Sequence, residues 1–161
     1  MMVKIQNLAI LTNTEKDDLI KSVVLSLDKT HYYWHIPGNV PSSKNSKRAY
    51  RKGGFCSIRD DDKTMEYKKN TSEEYYQRGL DFRLKTERRP APLEVGFFFI
   101  NGTNAAFDVI NKAQVVQDLM VRHGWLDDDN VRELLPYFPV INGVAYAISG
   151  EYAGVIIMVR K

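Results

Sequence analysis

The first apolar pattern in the chain has helical spacing. A capping sequence at residues 14–17 precedes it, with an aspartate where a capping box prefers Glu or Gln. The pattern predicts a short amphipathic helix, which we expect to pack on the domain or on a partner. We therefore interpret residues 1–30 as a leader segment and residues 31–161 as the main domain. The apolar positions of the helix are Leu19, Ile20, Val23, Val24 and Leu27.

Three runs of apolar and aromatic residues predict strands, at residues 31–36, 93–100 and 155–159. A fourth signal is Asn142-Gly143, which predicts a hairpin that joins residues 137–141 to residues 144–148. Strands and helical patterns are mixed along the chain without a regular alternation. We therefore predict an α+β fold, a single domain in which a mixed sheet packs against helices.

Two further segments are predicted to be helical. Residues 63–85 form a charged helix that a proline-containing segment ends. Residues 107–123 form the best helix in the chain, stopped by Gly124 at the C′ position. The polar segment between residues 39 and 63 predicts a loop or a mobile hairpin. The expected buried stripe of the charged helix is Tyr67, Tyr75, Tyr76, Leu80 and Leu84.

Composition narrows the class of protein. A chain of 161 residues with 43% apolar residues has the size and the apolar content of one packed domain. A single cysteine excludes an internal disulfide framework and a cysteine-rich zinc site, and three scattered histidines do not suggest a histidine metal site. The sequence contains neither a membrane-spanning run nor a signal peptide pattern, so we expect a soluble cytoplasmic protein without a membrane partner.

Carboxylates and amides share one face of the helix at residues 107–123, opposite its apolar stripe. They are Asp108, Asn111, Gln114 and Asp118, and three consecutive aspartates follow at residues 127–129, here called the acidic turn. Oxygen ligands of this kind bind Mg²⁺, which suits phosphoryl chemistry. Each group also has a structural alternative: Asp108 as a helix N-cap, Asp118 as the partner of a lysine or arginine, and the acidic turn as a solvated turn.

Basic residues concentrate between residues 44 and 69, where nine lysines and arginines face four acidic residues. Glycines, small hydrogen-bond donors and two aromatic residues lie among them. This pattern favours contact with a phosphate backbone, and a solvated surface loop is the alternative. The residues that we expect to contact DNA are Lys44, Asn45, Lys47, Arg48, Arg51 and Lys52.

Three sequence blocks, taken in order, resemble the RusA-type Holliday-junction resolvases, small endonucleases often carried by phages and prophages. The first block is a strand that runs into a Pro-Ser-Asn turn, at residues 36–45. The second is a helix that reads Asp-x-Asp-Asn-x-x-Lys-x-x-x-Asp in the family, at residues 108–118. The third is a glycine, two apolar residues and paired aspartates, at residues 124–129. The resemblance covers residues 31–160 and implies a RusA-like nuclease domain.

This resemblance implies a site residue by residue. Asp108 matches the first catalytic aspartate, and the paired-aspartate position falls on Asp129, or on Asp128 if a gap is allowed. Asp118 would bind the metal or support the residues that do, and Asn111 matches the family's asparagine.

Two positions depart from the family pattern. Ile110 replaces the second aspartate and cannot bind a metal, and Gln114 replaces the lysine and carries no charge. Either Asn111, Gln114 and a second aspartate of the acidic turn compensate, or the chain is a weak or inactive nuclease.

The expected function is a Mg²⁺-dependent endodeoxyribonuclease, with Mn²⁺ as a possible substitute, that resolves branched DNA such as Holliday junctions. The resemblance also implies a homodimer that acts in recombination and repair, in a bacterium or a phage-infected host cell. One alternative is a branched-DNA binding protein of the same fold without cutting activity. Another is an interaction protein whose leader helix docks a replication or recombination partner.

Overall fold

The computed structural model describes residues 13–42 and 47–161 and, of Lys47 and Arg48, the backbone alone. The predicted helices form in these ranges, and none of them is both long and apolar enough to cross a membrane. Asp61 and Asp108 precede the second and third helices as N-caps. The helices are α1 (Asn13–Thr30), α2 (Asp62–Thr86) and α3 (Val109–Arg122).

The strands of the described residues form one mixed five-stranded sheet and a separate two-stranded hairpin. In the sheet, β7 pairs antiparallel with β1 on one side and with β4 on the other, while β5 and β6 pair in parallel with β4. The hairpin consists of β2 and β3. The strands are β1 (His31–Pro37), β2 (Lys47–Lys52), β3 (Phe55–Asp60), β4 (Leu93–Asn101), β5 (Leu134–Tyr137), β6 (Ala147–Ile148) and β7 (Gly154–Arg160).

Helices cover both faces of the sheet, which explains why β4 is a nearly continuous apolar run. Phe97 and Phe99 of β4 lie in the core shared with α2 and α3. Phe98 and Ile100, which alternate with them, lie in the second core, beneath α1. The α+β fold with a mixed sheet and helices packed against it is therefore confirmed, and α1 packs on the sheet, one of the two possibilities that the sequence left open.

The predicted buried stripe of α2 is wrong at three of its five positions. Tyr76, Leu80 and Leu84 are 70%, 68% and 60% exposed. The chain buries a stripe with small residues instead, because the indole of Trp125 occupies the space next to Gly79. The buried residues of α2 are Thr64, Tyr67, Thr71, Tyr75, Gly79, Phe82 and Thr86.

The turn at Asn142-Gly143 forms, but its flanks are not the long hairpin that the sequence predicts. Both turn residues have positive φ angles, of 52° and 78°, and Ile141 bridges Val144 across the turn. Beyond that bridge, β5 pairs with the start of β4 and β6 with its end. The edge of β4 offers buried pairing that an exposed two-stranded hairpin lacks, so residues 138–146 leave the sheet and return to it.

Candidate nucleic-acid interface

Asp108 is the N-cap of α3. Its Oδ1 atom accepts hydrogen bonds from the backbone N–H groups of Ile110, at 3.0 Å, and Asn111, at 3.2 Å. A carboxylate at this position satisfies N–H groups that have no partner inside the helix and complements the helix dipole. Asp108 therefore has the helix-capping role that the sequence analysis gave as its structural alternative.

The acidic turn is solvated and makes its own local contacts. Asp127 lies 3.6 Å from the guanidinium of Arg83. Asp128 accepts hydrogen bonds from the side chain of Asn130, at 2.6 Å, and from the backbone of Asp129, at 2.8 Å. These bonds favour the charged form and lower the pKa of Asp128 below its ordinary value.

The expected convergence of Asp108 with Asp128 or Asp129 is not found in the chain. Asp108 precedes α3 and the acidic turn follows it, and a helix of 14 residues is about 21 Å long. Because β4 and β5 are parallel, the helix between them must return the chain to the start of β4. The acidic turn therefore lies at the opposite end of the sheet from Asp108.

The other predicted site residues lie along α3 and do not connect Asp108 with the acidic turn. Asp118 lies 3.9 Å from the amine of Lys68, which is also 2.8 Å from Asp60. Ile110 is 62% exposed and Gln114 is exposed as well, while Asn111 is half-buried.

A Mg²⁺ site made from these residues does not fit the single chain. Across the described ranges, no group of three or more His, Cys, Asp or Glu side chains is arranged to hold a metal ion. The carboxylates named above are divided between the two ends of α3, and two ligands of one ion must lie within about 4–5 Å of each other.

The residues near Asp108 form a cleft of about 800 Å³. It lies between the end of β1, the first turns of α2, the loop after β4 and the start of α3. Its wall mixes both charge signs with neutral polar groups. Its charged or amide lining residues include Asp61, Lys63, Glu66, Asn101, Asp108 and Lys112.

Lys112 is the cleft residue that the sequence analysis missed. It is only 3% exposed, its amine donates a 2.7 Å hydrogen bond to Oδ1 of Asn101, and the same amine lies 4.6 Å from the centre of the Phe107 ring. Burial lowers the pKa of Lys112 to about 8. Its angle on the helix, between Asp108 and the apolar stripe, was the available signal, since a long aliphatic stem suits that boundary.

The hairpin of β2 and β3 carries the part of the basic segment that the structure describes. Its described side chains are exposed along nearly their whole length, with Phe55 at 83% and Ile58 at 73%. The guanidinium of Arg59 stacks 4.4 Å from the ring centre of Tyr50. Asp61, the residue directly after β3, caps α2 and lines the cleft, so the hairpin and the cleft adjoin.

The predicted DNA contacts are only partly placed. Arg51 and Lys52 are exposed at the end of β2. Lys47 and Arg48 belong to the same strand, but their side chains lie outside the described part. Lys44 and Asn45 also lie outside the described residues.

Comparison of the chain with models of known protein families gives no match. Comparison with curated proteins gives none either. The likeness to RusA-type resolvases therefore depends on the three sequence blocks and their order.

Proposed function

We propose that this protein binds branched DNA, with the hairpin of β2 and β3 as its main contact and the adjoining cleft as a second. The observation that carries the proposal is the hairpin itself, which presents basic and aromatic side chains on two exposed faces. A two-stranded hairpin is only marginally stable alone in water. A projecting pair of strands with this composition is suited to a partner that is both anionic and aromatic.

The hairpin has the shape and the chemistry for nucleic acid. A two-stranded ribbon fits the major groove of B-DNA, which is about 12 Å wide. Arg51, Lys52 and Arg59 supply positive charge for phosphates. Phe55, at 83% exposure next to the turn, offers an aromatic face on which an unpaired base can stack.

Lys112 gives the cleft a cation suited to a phosphate oxygen. Within the described ranges its amine contacts a neutral amide and an aromatic ring, and no carboxylate lies within ion-pair distance. Asp61, Glu66 and Asp108 oppose phosphate binding in the same cleft. Most of the affinity therefore comes from the hairpin, and the cleft contributes at one position.

The branched form of the DNA, the RusA-like fold and the homodimer are parts of this proposal that the sequence blocks support. A four-way junction presents equivalent strands related by a two-fold axis, and a symmetric dimer matches that symmetry. The basic segment begins within the Pro-Ser-Asn turn of the first block, so the proposed DNA contact adjoins part of the resemblance.

A second candidate is a Mg²⁺-dependent endonuclease of the same type. The observation that favours it is the order of the three blocks, with Asp108, Asp118 and the paired aspartates retained. Since one chain keeps Asp108 and the acidic turn at opposite ends of α3, a site of this kind would require the acidic turn of a second copy. If Ile110 limits the activity, Ile110→Asp should increase nicking.

One experiment separates the candidates: gel-shift and nicking assays on a four-way junction in Mg²⁺ and in Mn²⁺. The test variant is Arg51→Gln/Lys52→Gln/Arg59→Gln, and the control Lys16→Gln/Lys21→Gln/Arg132→Gln removes the same charge elsewhere. We expect binding without nicking, at least about a tenfold loss in the test variant and little loss in the control. Nicking that Asp108→Asn abolishes would favour the endonuclease. Absence of junction binding by the wild type would contradict both and favour an interaction protein.

A further inference from the structure

Three cations surround the ring of Tyr32 at the end of the sheet far from the hairpin. The amine of Lys85 lies 5.0 Å from the ring centre, the amine of Lys161 lies 5.7 Å from it, and the guanidinium carbon of Arg89 lies 5.9 Å from it. Lys85 comes from the last turn of α2, Arg89 follows that helix, and Lys161 follows β7. We call these four residues the Tyr32 cluster.

Neutral groups hold two of these cations in place. Lys161 donates a 2.6 Å hydrogen bond to the backbone carbonyl of Asp28, and Arg89 donates one of 3.3 Å to the carbonyl of Lys85. In the described part of the chain, no carboxylate side chain lies within ion-pair distance of any of the three. Three positive charges fixed around one ring, without a paired carboxylate, form an arrangement that attracts an anion.

Each of the three cations also has a structural role. Cations near a helix C-terminus interact favourably with the helix dipole, which accounts for Lys85 and Arg89 at the end of α2. Lys161 has the same role at the end of α1, because its amine donates to the carbonyl of Asp28 in the last turn of that helix. A helix C-terminus carries only about half a negative charge, so positive charge remains at the cluster for an anion.

The position of the cluster relative to the hairpin suggests what the anion is. Helix α2 begins two residues after β3 and ends beside the cluster, and its 25 residues span about 37 Å. That length is close to one turn of B-DNA, about 34–36 Å. DNA bound at the hairpin can therefore reach the cluster by continuing along α2 for a full turn, or by directing a second arm there.

We propose that the Tyr32 cluster is a second surface that binds the phosphate backbone of the DNA held by the hairpin. This inference rests on the proposed DNA binding and adds a contact that the sequence blocks do not contain. Guanidinium and ammonium groups suit phosphate oxygens, and such contacts carry no base information. The cluster should therefore raise affinity and salt dependence without changing any sequence preference.

The test compares two probes at a series of salt concentrations. One probe is a linear duplex of about 16 base pairs, long enough to pass from the hairpin to the cluster. The other is a four-way junction with arms of about eight base pairs, roughly 27 Å each at 3.4 Å per pair, so no single arm spans both surfaces. The variant is Lys85→Gln/Arg89→Gln/Lys161→Gln. The controls are the charge-preserving Lys85→Arg/Arg89→Lys/Lys161→Arg and the Lys16, Lys21 and Arg132 triple variant.

We expect the neutral variant to bind the junction at least about tenfold more weakly, with a salt slope lower by up to about 2.7, or about 0.9 per contact. The charge-preserving variant should bind nearly as well as the wild type. Loss on the linear duplex means that one duplex continues along α2, and loss on the junction means that a second arm reaches the cluster. If the neutral variant matches the Lys16, Lys21 and Arg132 control on both probes while the hairpin variant still loses affinity, the cluster proposal is overturned and DNA binding stands. If the wild type binds neither probe, both proposals fail. If the neutral variant does not fold, Lys85→Gln/Lys161→Gln gives the same comparison, with a slope change of up to about 1.8.

Discussion

Asp108, the N-cap of α3, and Lys112, one helical turn further along, have different roles. Asp108 caps the helix through two backbone N–H groups, so its carboxylate has a structural role whatever else it does. Lys112 holds an amine in the wall of the cleft, bonded to Asn101, whose own amide donates to the carbonyl of Thr103. The first residue determines where the helix begins, and the second gives the cleft a positive charge.

The cap predicts losses of different size for two substitutions of Asp108. Asp108→Ala should lower the free energy of unfolding by about 0.5–2 kcal/mol, because two N–H groups lose their acceptor. Asp108→Asn should change the free energy of unfolding much less, since asparagine caps helices about as well as aspartate. Urea denaturation measures both. Equal losses in the two variants would mean that the charge, rather than the cap, stabilises the fold.

Lys112 predicts a pH dependence with a definite sign. Its pKa is about 8 in the folded chain against an ordinary value of 10.5, so above pH 8 the unfolded chain binds more protons. The contribution of Lys112 therefore raises the free energy of unfolding as the pH rises from 8 to 10.5. The increase is up to about 3 kcal/mol, at about 1.36 kcal/mol per pH unit.

Lys112→Met removes this contribution, so the quantity to measure is the wild-type free energy of unfolding minus that of the variant. The difference should increase from pH 8 to pH 10.5. Tyrosines of the unfolded chain ionise near pH 10 in both proteins, and the subtraction cancels their contribution. A difference that stays constant with pH would show that the amine is not desolvated.

At the scale of elements, α2 and α3 meet through Trp125. Its indole N–H donates a 2.7 Å hydrogen bond to the carbonyl of Tyr75, and its ring lies 5.0 Å from that of Phe82. A Cβ atom on Gly79 would lie 2.9 Å from the indole, closer than real contacts allow. Glycine at this position is therefore required by packing rather than by backbone conformation.

Gly79→Ala should consequently destabilise the protein, by about 1–3 kcal/mol for an overpacked contact. The direction of this stability change is informative, because alanine favours a helix over glycine by about 1 kcal/mol and would otherwise stabilise the protein. Gly150→Ala, outside the helices, is a control for the added methyl group, since a Cβ atom there meets nothing within 4 Å. Stabilisation by Gly79→Ala, measured as a higher Tm, would show that the helix and the indole are farther apart.

Helix α1 also belongs to the packed domain, although the sequence left open whether it packs there or on a partner. Leu27 is 2% exposed in the core beneath α1, whereas Leu25 on the same helix is 65% exposed. Leu27→Ala should lower the free energy of unfolding by about 2–5 kcal/mol, and Leu25→Ala should have little effect. Similar small effects for both would indicate that α1 does not pack on the sheet in solution.

For the whole molecule, the sequence did not predict how residues that are distant in the chain lie relative to one another. The stop signal at Gly124 placed the end of α3 correctly, and Asp108 caps the helix one residue after its predicted start, since both residues act through neighbouring backbone groups. Their effect is local, so a short sequence pattern can predict it. Whether Asp108 meets the acidic turn depends instead on how the chain crosses from β4 to β5. No local sequence pattern predicts that crossing.

Apolarity alone likewise mispredicted the buried face of α2. The pattern favoured Leu80 and Leu84, but burial followed the space left by Trp125, which comes from a distant part of the sequence. Lys112 was missed for the same reason, since its cleft forms only when four separate segments come together.

The whole molecule then has basic surfaces at both ends of α2, the hairpin at one and the Tyr32 cluster at the other. The central claim is that the hairpin binds DNA through phosphate contacts. The most direct test is the Kd of a four-way junction measured over a range of salt concentrations, for the wild type and for Arg51→Gln/Lys52→Gln/Arg59→Gln. We predict that the log–log salt slope falls by up to about 2.7, at about 0.9 per lost contact, and that affinity falls with it. Identical slopes and affinities for the two proteins would contradict the claim.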